Sequence, residues 1–99
     1  MPITERVMRP DRGMTHADFR RIFPRLLGDA ETVEGDLNCT VLWHDGRCLK
    51  VQVSDEKTRA IATLRMPYLD ICFEFSGFDD SERDAFLARF ERAFQKGGG

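Results

Sequence analysis

The chain has 99 residues, 41% of them hydrophobic and 32% charged, with a formal net charge of −2. This length supports one domain and is too short for two cores, and no apolar run approaches the ~20 residues of a membrane-spanning helix. A net charge so close to zero does not imply a polyanion ligand.

Residues 1–13 lack any periodicity and contain Pro2, Pro10 and Gly13, so they read as a flexible arm ahead of a single domain over residues 14–96. The first helix opens with agreeing signals. Thr15 is its N-cap, Asp18 follows three residues later, and Met14 can staple against Phe19. Phe19, Ile22, Phe23 and Leu26 form an apolar stripe, with Arg20, Arg21 and Arg25 on the wet side. Pro24 removes a hydrogen-bond donor and clashes with the turn before it. The regular helix therefore ends near Ile22 or Phe23, and a short further turn closes at Gly28.

A weak strand is predicted over residues 31–34, followed by a clearer pair, 37–43 and 47–53. Two registers compete for that pair. A two-residue turn at Asp45-Gly46 would split the bulky apolar residues between the faces. A three-residue loop with Gly46 as a left-handed bulge sets Trp43 against Arg47, Val41 against Leu49 and Cys39 against Val51, so that one face takes them all. The bulged loop is the expectation. A third strand is expected over 58–64, with Ala60, Ala62 and Leu64 toward the core and Arg59, Ile61, Thr63 and Arg65 outward. Pro67 ends it or makes a bulge.

The last third of the chain is the most regular. Leu69, Ile71, Phe73 and Phe75 alternate with Asp70, Cys72 and Glu74, the period of a half-buried strand over 69–75. After Gly77 the period changes, and Phe86, Leu87, Phe90 and Phe94 repeat at helical spacing. Asp79 with Glu82 makes a capping box, acids crowd the first turns, and Arg89, Arg92 and Lys96 suit the far end of the helix dipole. Residues 97–99 read as a flexible glycine tail. The expected architecture is an α+β two-layer sandwich, α-β(4–5)-α, an antiparallel meander with both helices on one face.

Chemistry is hard to find in this sequence. Cys39, Cys48 and Cys72 have no short-spaced pair, and with His16 and His44 they match no zinc-site spacing. An odd cysteine count, with a charged N-terminus where a signal peptide needs an apolar stretch, leads us to expect a cytoplasmic protein with reduced thiols. No nucleophile elbow, metalloprotease helix, P-loop or dinucleotide fingerprint is present. His44 and Asp45 are adjacent on a turn, where a base and its orienter rarely face each other. Asp70 and Glu74 share one strand face but stand about 13 Å apart, too far for a carboxylate pair. Neither catalysis nor a cofactor or metal is expected.

Surfaces remain. The sheet face away from the helices would carry Thr40, Leu42, Cys48, Lys50, Arg59, Ile61, Thr63, Arg65 and Cys72, less polar than a solvated face usually is. Contact with a protein partner, or self-association as a dimer, is the leading reading; an uncovered mixed face is the bland one. Arg20, Arg21 and Arg25 form a candidate basic helix face, since residues 1–28 hold six Arg against three acids. Residues 29–56 are the acidic counterpart, seven acids against Arg47 and Lys50. The alternative function is a small apolar-ligand binder with its pocket between the C-terminal helix and the sheet. Nucleic acid is less favoured: the cations Lys50, Arg59 and Arg65 alternate with Asp70 and Glu74, and aromatic platforms are missing.

Overall fold

The computed structural model describes residues 4–95. It contains, in chain order, β1 (Thr4–Arg12), α1 (His16–Ile22), a 3-10 turn (Phe23–Leu26), β2 (Thr32–Gly35), β3 (Asn38–Leu42), β4 (Cys48–Val53), β5 (Lys57–Ile61), β6 (Leu64–Ser76) and α2 (Asp80–Gln95). This is an α+β fold with a six-stranded antiparallel sheet. The predicted glycine tail, 97–99, lies outside the described residues.

Local signals fix both helices. Thr15 accepts from the Asp18 N–H at 3.0 Å while the Asp18 carboxylate accepts from the Thr15 N–H at 3.1 Å, closing the predicted box. Those hydrogen bonds hold the Asp18 carboxyl below its ordinary range, with the Thr15 N–H the largest cause. Pro24 then tightens the chain into the 3-10 turn. At α2 the reciprocal bonds run between Asp79 and Glu82, at 2.7 and 3.0 Å.

The loop between β3 and β4 takes the predicted three-residue form. Gly46 has φ +93°, the Trp43 N–H donates to the Arg47 carbonyl at 3.0 Å, and Val41 lies opposite Leu49 and Cys39 opposite Val51. Gly77, at the end of β6, passes so close that a Cβ there would lie 2.8 Å from the Gly46 carbonyl oxygen. One face of the sheet is therefore apolar, and the helices meet it ring to ring. Phe73 contacts Phe86 and Phe90 edge to face, Phe19 stacks on Phe23, and Phe94 lies against both Phe90 and Phe19. The Trp43 indole N–H donates to the Leu27 carbonyl at 3.1 Å, pinning the 3-10 turn over the sheet.

Two expectations fail, the first for want of local apolar signals and the second because apolar residues spaced as a core-facing strand lie exposed. Residues 4–12 are a strand and not an arm: β1 pairs with β6, from Thr4 opposite Ser76 to Arg12 opposite Leu69. It is held on its inner side by charge as much as by Val7. Glu5 pairs with Arg83 of α2, while Arg9 and Arg12 reach Glu91 at 3.5 and 3.0 Å.

The second failure concerns residues 57–68. The predicted meander put a separate strand between β4 and the final strand, yet β4 pairs directly with β6, Val51 opposite Phe73. β5 instead continues in the direction of β4 after an interruption at Ser54–Glu56 and pairs with the first part of β6, Ile61 opposite Leu64. Pro67 does not end this strand. It lies opposite Thr58, beyond the last residue that β1 covers, where a missing N–H breaks no ladder on that side. β6 thus runs 13 residues, roughly 40 Å at strand rise. The order across the sheet is β1-β6-β4-β3-β2.

Candidate interaction surface

Residues 57–68 form a two-stranded ribbon turning at Ala62-Thr63, with Ala62 at φ +54°. Every residue of β5 and the first three of β6 are exposed. Directly opposed residues share a face. One face therefore carries Lys57, Tyr68, Arg59, Met66, Ile61 and Leu64, and the other carries Thr58, Pro67, Ala60 and Arg65. Ile61, Leu64 and Met66 are 53%, 63% and 48% exposed. Three of the most exposed large apolar residues of the described chain thus share one face of one ribbon.

The base of the ribbon is tied down by one carboxylate. Asp70 accepts from the Lys57 ammonium at 2.7 Å and from the Asp11 N–H at 2.9 Å, and both bonds hold its carboxyl below the ordinary range, the Lys57 bond most. The Asp70 N–H donates to the Ser54 hydroxyl and the Ser54 N–H to the Asp70 carbonyl, each at 2.9 Å. The Ser54 carbonyl turns instead to His16 Nε2 at 2.8 Å, and Glu56 accepts from the His16 N–H at 2.8 Å. This explains the interruption between β4 and β5: the backbone of Ser54 bonds to α1 as well as to the ladder. Arg59 lies 3.3 Å from the Asp11 carboxylate with its guanidinium 4.9 Å from the Tyr68 ring centre.

The predicted surface is accordingly divided. Leu42 opposite Cys48 and Thr40 opposite Lys50 do share the outer face of the main sheet. That face is mixed: Arg6 bonds Glu74 at 3.0 Å and Lys50 lies opposite Glu74, while Met8 and Leu42 on the same face are exposed apolar residues. Cys72 belongs to the same face between Met8 and Gln52 but is 8% exposed, too little to serve as a contact. Arg59 and Ile61 lie on the ribbon, Thr63 is in its turn, and Arg65 faces the other way from Arg59 and Ile61, because a hairpin replaces the single flat strand. Ala60 and Leu64, predicted toward the core, are exposed there. The basic helix face is also reduced: Arg20 bonds Asp36 at 2.7 Å and Arg21 bonds Asp18 at 3.2 Å, leaving Arg25.

Other sites can be placed as firmly. Among the described residues no three His, Cys, Asp or Glu side chains gather as metal ligands. Cys48 lies opposite Ser76, four residues along β6 from Cys72, so those thiols sit on adjacent strands. Cys39 is buried, and burial, with Asp36 beside it, pushes its thiol up to about 11, an inert group at neutral pH. The middle of the α2–sheet interface, where an apolar ligand was the alternative, is filled by Phe73, Phe86 and Phe90. A hollow of about 510 Å³ opens at the end of α2, rimmed by Asp11, Arg12 and Glu91 as well as Phe90 and Phe94. A second, apolar cleft of about 270 Å³ lies between the 3-10 turn and β2. No helix of the described residues is long and apolar enough to cross a membrane.

The ribbon escaped sequence reading because its turn, Ala62-Thr63, carries none of the glycine or asparagine that marks a tight hairpin. The usable signal was the spacing of Lys57, Arg59 and Ile61 against Leu64, Met66 and Tyr68, two short alternations related by reflection about the turn. Compared with models of known protein families, with curated proteins and with solved structures, the chain matches none.

Proposed function

We propose that this protein is a small interaction or regulatory module whose principal contact surface is the ribbon of residues 57–68, extended by the adjoining outer face of the sheet. The exposure of Ile61, Leu64 and Met66 on one side of the ribbon carries this reading. A two-stranded ribbon is marginal in water by itself. Among the described residues this one has an open backbone edge on either side, a template for further pairing, and its apolar face is exposed. Contact with another protein surface would bury the three side chains and pair an edge at once.

Nucleic acid suits the ribbon less well. Lys57 and Arg59 already meet Asp70 and Asp11, which leaves Arg65 as the ribbon's cation without an ion pair among the described residues. Phosphate binding draws on several such cations at once. An apolar small molecule is also the weaker reading: the middle of the helix–sheet interface is filled, the hollow at its end is rimmed by charge, and the apolar cleft beside the 3-10 turn is only about 270 Å³.

The test is affinity capture of the full chain from its own host, wild type beside Ile61→Asp and Leu64→Asp. Both sites are exposed, so the unfolding free energy of each variant should stay within about 0.5 kcal/mol of the wild-type value. Proteins recovered with the wild type should be lost with both variants. Undiminished recovery with both would contradict the assignment.

A further inference from the structure

Two segments of the chain carry opposite charge beside open strand edges. Residues 57–68 hold Lys57, Arg59 and Arg65 and no acid, whereas residues 29–36 hold Asp29, Glu31, Glu34 and Asp36 and no base. Within the second segment, β2 is the last strand of the sheet and has no neighbour on its outer side among the described residues. Part of each charge is neutralised internally: Lys57 by Asp70, Arg59 by Asp11, Asp36 by Arg20, and Glu31 lies 3.5 Å from the His44 ring. Arg65 on the ribbon and Asp29 and Glu34 beside the edge have no ion pair among the described residues.

The cleft of about 270 Å³ opens beside this acidic edge, between Phe19, Phe23 and Leu27 on one side and Val33 and Cys39 on the other. Its volume is just below the range of small-molecule sites, which begins at about 300 Å³. Its apolar walls suit aliphatic side chains delivered from another surface. Val33 at its mouth is 49% exposed, an apolar residue on a strand otherwise polar.

Resting on the interaction reading above, we infer that the ribbon's partner is a second copy of this chain, docked head to tail. The ribbon of one copy lies along the acidic β2 edge of the next, with its apolar residues toward the cleft. Three physical points select this arrangement. An open strand edge is completed by another strand. Carboxylates on a short edge strand repel strands of their own sign but attract a cationic one. Ribbon-on-ribbon pairing, the symmetric alternative, would bring like charges together. A head-to-tail contact is heterologous, so it closes into a ring or continues as an open chain.

Native mass spectrometry of the full chain over a range of concentration and salt tests this with two charge reversals, Arg65→Glu and Glu34→Arg. The wild type should give multiples of one chain mass at low salt and fall toward single chains as salt rises. Each variant alone should associate at least ~10-fold more weakly. An equimolar mixture should recover assembly with the two variants in equal number, because reversed ribbon meets reversed edge and native ribbon meets native edge. The double variant should recover it too. Rescue is open only to folded chains, so it separates lost contact from lost fold. A wild type that stays a single chain throughout overturns the inference while leaving the capture test on Ile61 and Leu64 to decide the broader reading. An Arg65→Glu chain that binds wild type more tightly than wild type binds itself also overturns it, in favour of ribbon on ribbon. Weakened single variants without rescue in the mixture overturn it as well.

Discussion

Asp70 shows how much one side chain organises here. On the sequence it is one polar member of an alternating strand, and its neighbour in that pattern, Glu74, does no more than pair with Arg6. Asp70 instead joins β1, through the Asp11 N–H, to β5, through Lys57, at the point where the sheet gives way to the ribbon. Its carboxyl is held below the ordinary value of 3.8 chiefly by the Lys57 bond. In that situation the unfolded chain binds the proton more readily than the folded one. The stabilisation is therefore complete above pH 3.8 and is lost as pH falls through the folded value. Asp70→Asn should lower the melting temperature modestly at neutral pH, flatten the loss of stability on the acid side, and speed amide exchange across residues 57–68. Thermal melts from pH 2 to pH 7 and hydrogen exchange check this. An unchanged acid limb would show that the Lys57 bond contributes nothing to folding.

At the scale of elements, the legible parts are those whose causes are local. Both capping boxes, the break at Pro24 and the bulged loop at Gly46 follow from residues within a few positions of one another, and the structure has them all. The illegible parts depend on distant partners. β1 has little apolar alternation, because Glu5, Arg9 and Arg12 face charges of α2 that lie more than seventy residues away in sequence. The ribbon looked like a half-buried strand because Ala60, Ala62 and Leu64 could line a core; in the fold no helix is over them. Of the residues predicted on a flat outer face, Arg59 and Ile61 lie instead on one side of the ribbon, beside Leu64 and Met66, which were not expected there. One consequence separates strand from arm sharply. Deleting residues 1–12 strips the outer ladder of β6, uncovers the Val7 site and breaks three ion pairs with α2. It should cost about 2 kcal/mol or more in urea unfolding, the scale of at least one buried aliphatic side chain. A freely mobile arm would be removed without measurable loss.

The whole molecule has two unlike parts: a body in which aromatic rings from both helices close over one sheet face, and a ribbon that buries almost nothing. Stability resides in the first. The body's buried residues are apolar throughout the described chain, and the charged side chains Arg12 and Glu91 bury single polar atoms only at its margin, beside β1 and α2. The ribbon adds little to that core, yet it keeps three large apolar side chains on one face and a carboxylate clamp at its base. An element that costs conformational entropy to order and returns little burial within its own chain gains that burial only through contact with another surface.

Site-specific photo-crosslinking inside the native host puts that claim to the most direct test. A photoreactive residue at position 64 should give one discrete adduct, of two chain masses if the partner is a second copy. The same residue at position 84, on the exposed side of α2, should give none. Equal, diffuse labelling at both positions would mean that the ribbon meets only solvent and is not a contact surface.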